Sequence, residues 1–218
     1  MKLVLASQGF TTDEIANKVA ELVGKELKDI NIGIINESYV AKSEHSSKRW
    51  LIKELSDIEK HIGGVIDFVN LRAYDENEIE RRLSAADVIY IVGGKQLVLG
   101  ELFKNTGTDK ILKKLAESKV IMGTSAGSIV LGKLIESRYY WKERYGINMD
   151  EIKNNELELV DFNIIPHYMR EDHLKWNEEF YKKVAEENSF PLYAITDTQA
   201  IIYNEGKIEF VGGEPVIY

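Results

Sequence analysis

Residues 119–128 read Lys-Val-Ile-Met-Gly-Thr-Ser-Ala-Gly-Ser, an apolar run followed directly by small residues on both sides of Ser125. The apolar run predicts a buried strand, and residues 129–135 have the pattern of a helix. A serine between small neighbours at such a junction can occupy a sharp, strained turn that exposes its hydroxyl above the edge of a sheet. The segment therefore predicts a strand–turn–helix unit and makes Ser125 a candidate nucleophile.

Short apolar runs rich in β-branched residues alternate with segments of helical periodicity along the first half of the chain. The runs are residues 2–6, 31–36, 65–71, 88–92 and 119–122. Helices are predicted at residues 46–58 and 76–86, and residues 11–14 (Thr-Thr-Asp-Glu) have the composition of a capped helix start. This alternation predicts an α/β fold with a doubly wound, mostly parallel sheet.

The second half of the chain predicts further strands, a helix and a C-terminal β-hairpin. The strands are predicted at residues 159–166, 192–196, 200–203 and 207–211, and the helix at residues 171–188. The sequence Asn-Glu-Gly at residues 204–206 is typical of the turn in a hairpin. No linker or low-complexity segment interrupts the chain, so we expect residues 1–218 to form a single domain.

Residues 136–158 combine aromatic and charged side chains, with Tyr139, Tyr140, Trp141 and Tyr145 close together. Two interpretations remain open for this tract. It is either a surface excursion packed by its own rings or a wall over the functional site that shapes a pocket for an apolar side chain.

The composition excludes several classes of function. The 218 residues carry a formal net charge of -8, which provides no basic surface for nucleic acid. The absence of cysteine excludes disulfides, thiolate metal sites and a cysteine nucleophile, so a serine must carry any covalent chemistry. No apolar run approaches the roughly 18 residues of a membrane span or the core of a signal peptide. We expect a cytoplasmic protein without a membrane partner.

A serine nucleophile needs a general base within hydrogen-bonding distance, and that base needs a partner that fixes its tautomer. Of the four histidines, His45 and His61 lie early in the chain in charged, helical surroundings. His167 follows Ile-Ile-Pro at the end of a predicted strand, and strand ends in a doubly wound sheet meet at one crevice. His167 is therefore the candidate base, and His173 is the other histidine after the serine.

Asp197 is the candidate for the acid that orients His167, because it also follows a predicted strand. A turn-forming or capping role is the competing interpretation of this aspartate. Asp161, Glu171 and Asp172 are alternative acids, because they lie near His167 in the sequence.

Acyl transfer also needs hydrogen-bond donors for the oxyanion of the tetrahedral intermediate. The amide of Ala126, directly after the candidate nucleophile, is one natural donor. Residues 92–95 (Val-Gly-Gly-Lys) end another predicted strand, and glycine allows the backbone to approach a ligand closely. We select Gly94 as the second donor, with the amide of Lys95 as the neighbouring alternative and an ordinary tight turn as the competing interpretation.

The order of these residues along the chain separates two classes of enzyme. In α/β-hydrolases the acid precedes a late histidine, whereas the order here is serine, histidine, acid. Four ordered motifs instead resemble the dipeptidase E (aspartyl dipeptidase) family of serine peptidases, which has a class I glutamine amidotransferase-like (flavodoxin-like) fold. The motifs are Val-Gly-Gly at 92–94, Gly-Thr-Ser-Ala-Gly-Ser at 123–128, Ile-Ile-Pro-His-Tyr at 164–168 and Ala-Ile-Thr-Asp-Thr-Gln-Ala at 194–200.

The resemblance implies a catalytic triad of Ser125, His167 and Asp197, with oxyanion amides from Ala126 and Gly94. It also implies hydrolysis of a short peptide, typically one with an N-terminal aspartate, without a metal or cofactor. A monomer or homodimer is compatible with the sequence.

The chain departs from the family where Lys-Gln-Leu-Val at residues 95–98 replaces the usual Gly-Asn-Thr-Phe after the glycine turn. We expect these side chains to border the substrate pocket and to alter its specificity. Lys95 and Arg170 are possible counter-charges for an acidic peptide. The competing hypothesis is a non-catalytic ligand-binding or regulatory protein that keeps the same fold.

Overall fold

Helices and strands alternate along the protein in its computed structural model, which describes residues 1–37 and 48–218. The strands are β1 Lys2–Ala6, β2 Ile32–Ile35, β3 Ile66–Phe68, β4 Val88–Ile91, β5 Val120–Thr124, β6 Asn163–Ile165, β7 Leu192–Ala194, β8 Ala200–Asn204, β9 Lys207–Val211 and β10 Val216–Ile217. The helices are α1 Asp13–Val23, α2 Arg49–His61, α3 Glu76–Ala85, α4 Gln96–Thr106, α5 Thr108–Leu115, α6 Ala126–Ile129, α7 Arg138–Tyr145 and α8 Glu178–Glu186. His45 and the first two residues of the helix predicted at 46–58 lie outside the described residues.

Within the described ranges, seven strands form the main sheet in the order β3-β2-β4-β5-β1-β8-β9. Strands β1 to β5 pair in parallel, whereas β8 and β9 are antiparallel to their neighbours. Helices cover both faces, because residues of α1 and α2 belong to one buried core and residues of α3, α4 and α5 to the other. The prediction of an α/β fold with a doubly wound, mostly parallel sheet is confirmed.

The last two strands of the main sheet form the predicted C-terminal hairpin. Asn204 lies opposite Lys207, and the two residues between them, Glu205 and Gly206, have φ angles of 51° and 86°. Two consecutive positive φ angles give a turn whose twist matches that of the paired strands. None of the helices in the described part of the chain is long and apolar enough to cross a membrane.

A second sheet, which the sequence pattern did not separate from the first, contains β10, β7 and β6 in that order. Strands β6 and β7 are parallel, with Ile165 opposite Ala194, so both strands end at the same edge. This sheet packs with α7 and α8 around an aromatic core that includes Tyr140, Trp141 and Tyr181. Tyr140 and Trp141 of the aromatic tract are therefore buried and pack against Tyr145, which is 38% exposed.

Two helix predictions were wrong in extent. The helix after Ser125 ends at Ile129 instead of residue 135, because the next carbonyls, of Val130 and Leu131, accept from the amides of Leu157 and Leu159. The helix predicted at 171–188 begins only at Glu178. The side chain of Asn177 accepts from the amide of Phe180 and caps that start, while residues 171–173 form a separate short 3-10 turn.

Gly127 allows α6 to lie against the end of β4. A Cβ atom at this position would overlap the backbone carbonyl of Ile91, which the sheet holds in place. We expect Gly127→Ala to lower the free energy of unfolding, measured by urea denaturation, by about 2 kcal/mol or more.

Gly146→Ala is the matched control for this substitution. Gly146 has a φ of +66° and nothing within 4 Å of an added Cβ, so its replacement adds backbone strain without a clash. We expect this control to cost about 1 kcal/mol. Equal losses for the two variants would contradict a steric role for Gly127.

Candidate active site

Ser125 lies in a strained turn between β5 and α6. Its φ of 49° and ψ of −116° belong to a region that non-glycine residues rarely occupy. Hydrogen bonds hold this conformation: the amide of Ser125 donates to the carbonyl of Ala6, and its own carbonyl accepts from the amide of Ile129, each over 3.0 Å. The strand–turn–helix geometry predicted from the sequence is therefore present at this serine.

The structure brings Ser125, His167 and Asp197 into one hydrogen-bonded row. The Nε2 atom of His167 lies 2.9 Å from the hydroxyl oxygen of Ser125, and its Nδ1 atom lies 2.6 Å from Oδ1 of Asp197. In the neutral ring Nε2 accepts a hydrogen bond from the serine hydroxyl, so the ring proton is on Nδ1, which donates a hydrogen bond to the carboxylate. This is the arrangement that activates a serine for attack on a carbonyl carbon.

The second sheet supplies both His167 and Asp197. His167 comes two residues after β6 and Asp197 three residues after β7, so the parallel pairing of these strands carries both side chains to one edge. The sequence argument expected this convergence within one sheet. In the structure, His167 and Asp197 reach Ser125 because the edge of the second sheet faces the end of β5 in the main sheet.

Ser7 joins the two sheets at this point, and sequence analysis missed it. The amide of His167 donates to the Ser7 hydroxyl oxygen over 2.8 Å, and that hydroxyl donates to Oδ1 of Asp197 over 2.9 Å. His167 has a φ of 61°, so the bond to Ser7 helps to hold a strained backbone. The available signal was a polar residue directly after β1, at the edge where parallel strands end.

Asp172 and His173, two of the alternatives named from the sequence, line the same cleft as Ser125 and His167 but lie outside the hydrogen-bonded row. Asp172 binds Arg170, with Oδ1 2.6 Å from Nε of the guanidinium. His173 lies beside the row, with Nε2 3.0 Å from Nη2 of Arg170. Burial, together with the charges of Arg170, Arg144 and His167, lowers the pKa of His173 to about 4. Among the described residues, neither Asp172 nor His173 has a hydrogen bond to Ser125 or to the ring of His167.

Asp197 is held as a carboxylate. Burial raises its pKa, but hydrogen bonding and charge from His167, the Ser7 hydroxyl and the Arg170 guanidinium outweigh burial and lower that pKa to about 2. Nη1 of Arg170 lies 3.5 Å from Oδ2 of Asp197 and 2.9 Å from Nδ1 of His167. In the tautomer described above, Nδ1 carries a proton and cannot accept a hydrogen bond from Arg170. The positive charge of Arg170 is therefore what acts on His167 and Asp197.

The Gly93-Gly94 turn faces Ser125 at the end of β4. The amide of Gly93 donates to the hydroxyl oxygen of Thr124 over 3.0 Å, whereas Gly94 has a φ of 142°. Within the part of the chain that is described, the amides of Gly94 and Ala126 donate to no other protein group. These two amides, selected from the sequence, are thus available to a ligand oxygen. Lys95, the alternative donor, is the N-cap residue of α4.

A buried carboxyl group behind this turn was also missed by sequence analysis. Glu54 on α2 is 5% exposed, and its Oε1 accepts from the hydroxyls of Tyr90, over 2.9 Å, and Thr124, over 2.6 Å. Burial raises the pKa of Glu54, although both hydroxyl bonds oppose the change. Thr124 therefore links Glu54 to the amide of Gly93 and fixes the position of the glycine turn.

Ser125, His167 and Gly94 line a cleft of about 540 Å³. The expectation that residues 95–98 border this cleft is wrong, because none of the four lines it and Gln96 is only 2% exposed. Its amide nitrogen donates to Glu156, and its amide oxygen accepts from Tyr145. Among the residues that the structure describes, no group of three or more histidine or acidic side chains is arranged to hold a metal ion.

Comparison with known proteins connects this geometry to a family. Residues 38–211 match the model of peptidase family S51. The chain belongs to this family. It is therefore a serine-type peptidase, and the predicted relationship to dipeptidase E is confirmed.

Relatives of this S51 peptidase carry corresponding names. An uncharacterised peptidase of Listeria monocytogenes is 27% identical over 164 residues, which cover 72% of this chain and 71% of that protein. An uncharacterised peptidase of Pasteurella multocida is 28% identical over 150 residues, which cover 67% and 70% of the two chains. A pyridoxal 5'-phosphate synthase subunit PdxT of Clostridium beijerinckii is 36% identical over 100 residues, which cover 43% of this chain and 51% of that protein.

Solved structures share the fold of this S51 peptidase. The crystal structure of a candidate peptidase E protein from Listeria monocytogenes superposes with a TM-score of 0.73, at 22% identity, and the match covers 96% of both chains. A peptidase from an acI-B1 actinobacterium superposes with a TM-score of 0.71, at 18% identity, covering 97% of this chain and 87% of that one. The predicted class I glutamine amidotransferase-like fold is confirmed.

Replacement of Thr124 by valine tests the link between Glu54 and the glycine turn. In this S51 peptidase, Thr124→Val would remove the hydroxyl that accepts from the amide of Gly93 and donates to Glu54. We expect the free energy of unfolding to fall by about 1–3 kcal/mol and kcat for peptide hydrolysis to fall about 10-fold or more.

Tyr90→Phe is the matched control, because it removes the other donor to Glu54 and leaves Gly93 untouched. We expect this control to lower stability but to keep kcat within about twofold. Equal losses of kcat in the two variants would contradict a specific role of Thr124 in positioning the turn.

The titration of Asp197 predicts a pH dependence of stability. Because its pKa falls from the ordinary 3.8 to about 2 on folding, Asp197 stabilises the fold above pH 4, and that contribution is lost as the pH falls through 2. At 1.4 kcal/mol per unit, the contribution is roughly 2 kcal/mol. We expect the difference in unfolding free energy between the wild type and Asp197→Asn to be largest at pH 6 and to shrink towards pH 2. A difference independent of pH would contradict this assignment.

Proposed function

We propose that this S51 peptidase hydrolyses short peptides of the dipeptide class through an acyl-enzyme on Ser125. The observation that carries the proposal is the hydrogen-bonded row from Ser125 through His167 to Asp197, with separations of 2.9 and 2.6 Å. Each residue then has the role that its contacts allow: nucleophile, general base and orienting acid.

The reaction begins with attack of the Ser125 hydroxyl oxygen on the scissile carbonyl, while Nε2 of His167 takes the hydroxyl proton. Asp197 keeps the ring in place and balances the charge of the imidazolium. The amides of Gly94 and Ala126 donate to the oxyanion of the tetrahedral intermediate. That intermediate collapses as His167 passes the proton to the leaving amine, and the acyl-enzyme remains.

Water completes the cycle. His167 takes a proton from a water molecule, whose oxygen attacks the ester carbonyl, and the second tetrahedral intermediate uses the same two amides. When it collapses, His167 returns the proton to the oxygen of Ser125 and the acid product leaves. The cycle uses no group beyond the peptide and water.

The cleft supports a small substrate. A volume of about 540 Å³ falls in the range of sites that bind single small molecules, which favours a short peptide over an extended segment of a protein. The family relationship extends the proposal to peptides that begin with aspartate. A dipeptide panel with Asp, Glu, Leu or Phe in the first position measures that preference directly.

Loss of the serine hydroxyl is the first test. We expect Ser125→Ala to lower kcat on the best dipeptide of the panel by a factor of about 10³ or more and to abolish labelling by a fluorophosphonate probe. The unfolding transition of the variant should stay close to that of the wild type.

Ser128→Ala is the matched control, because the Ser128 hydroxyl is buried three residues away and donates to the carbonyl of Ala6. This variant should keep labelling and turnover. An unlabelled wild type that hydrolyses no peptide of the panel would refute the proposal and favour a non-catalytic binding protein on the same fold.

A further inference from the structure

An unpaired arginine lines the same cleft as the proposed nucleophile. Arg144 lies in the last turn of α7 and is partly buried beside the cleft that contains Ser125 and His167. Its Nη1 donates to the hydroxyl of Tyr181 over 3.4 Å, and its guanidinium lies 5.8 Å from the ring centroid of Trp176. Among residues 1–37 and 48–218, no carboxylate lies within ion-pair distance of Arg144.

The other arginine of the cleft, Arg170, has acidic partners within the protein. Arg170 is bound by both oxygens of Asp172, at 2.6 and 3.2 Å, and lies 3.5 Å from Asp197. Its charge is therefore matched within the protein. His173 adds no charge at neutral pH, because its pKa is lowered to about 4. Among the described residues of this part of the cleft, Arg144 is thus the side chain that carries a positive charge without an acidic partner.

A partly desolvated guanidinium without a counter-ion is costly, and it keeps most of its five N–H donors available. Its planar fork matches the two oxygens of a carboxylate, which it binds more strongly than any neutral acceptor. Aromatic side chains lie around Arg144: its guanidinium is 5.7 Å from the ring centroid of Tyr140 and 5.8 Å from that of Trp176, and it donates to the hydroxyl of Tyr181. This environment is suited to a carboxylate carried by the substrate.

The position of Arg144 indicates which carboxylate that is. His167 must lie next to the leaving amine, because it gives that amine a proton. The ring of His173 is 5.3 Å from the ring of His167, and the charge of Arg144 acts on His173. Trp176 also belongs to the segment that follows His167. In a dipeptide, the α-carboxylate is only two bonds from the leaving nitrogen, which brings it to this side of the cleft.

We propose that Arg144 binds the α-carboxylate of the leaving residue and so selects peptides with one residue after the scissile bond. The inference rests on the proposed peptidase reaction and names the residue that limits substrate length. A longer peptide would bring a neutral amide, in place of a carboxylate, to the guanidinium.

The test compares the hydrolysis of free-acid and amide substrates by the 218-residue chain. The substrates are Asp-Leu, Leu-Leu and their C-terminal amides, and the variant is Arg144→Met, which keeps the apolar stem of the side chain. We expect kcat/KM for both free acids to fall roughly 10- to 100-fold, mainly through KM, because a charge-assisted hydrogen bond is lost. The amides should be hydrolysed at the same rate by variant and wild type.

Two further variants sharpen the comparison. Arg144→Lys keeps the charge without the fork and should retain part of the preference for free acids. Arg138→Met is the matched control on the same helix, because its side chain is 71% exposed and pairs with Asp150. This control should leave all four substrates unchanged.

Equal losses for acid and amide in Arg144→Met would overturn the proposal, since they would show a merely structural role. A loss confined to Asp-Leu and its amide would also overturn it, because Arg144 would then bind the side chain of the first residue. Calorimetric titration of Asp-Leu and its amide into Ser125→Ala, with and without Arg144→Met, measures the same selectivity without turnover. Weaker binding of the acid alone supports the carboxylate site even if hydrolysis fails, and unchanged binding refutes it.

Discussion

The site depends on one backbone constraint, the positive φ of Ser125 at the end of β5. The amide of Ser125 donates to the carbonyl of Ala6 in the neighbouring strand, and the carbonyl of Ser125 accepts from the amide of Ile129, which fixes the two ends of the turn. Gly127 lies between these residues and allows α6 to approach β4. Strain at Ser125 is thus compensated by a hydrogen bond to β1, a strand in the interior of the sheet.

The histidine and the acid reach this serine from a separate layer. The second sheet has its own aromatic core, and its parallel strands β6 and β7 end together, which sets His167 beside Asp197. Ser7 then ties that pair to β1, because its hydroxyl contacts the backbone of His167 and the carboxylate of Asp197. The distance from His167 to Ser125 therefore reflects the packing of two sheets, and Ser7 lies at the junction.

Two carboxyl groups near the serine have opposite electrostatic environments. Asp197 is surrounded by donors and positive charge, and its pKa falls to about 2. Glu54 is buried and accepts from two hydroxyls, and burial raises its pKa. The first group balances charge on the proposed base, and the second holds the glycine turn through Thr124. In the same cleft, Arg144 has no acidic partner among the described residues, so its charge is directed to a ligand.

The alternating strands and helices, the turn at Ser125 and the C-terminal hairpin were predictable from the residues alone, because these features depend on local periodicity and on small or turn-forming residues. The sequence also selected His167 and Asp197, since both follow apolar strands and match the order of the family motifs. The separate second sheet and the contacts of Ser7, Glu54 and Arg144 could be recognised only in the folded protein. These residues have no local pattern of their own, because their environments are created by side chains that are distant in the chain and come together only when the layers pack.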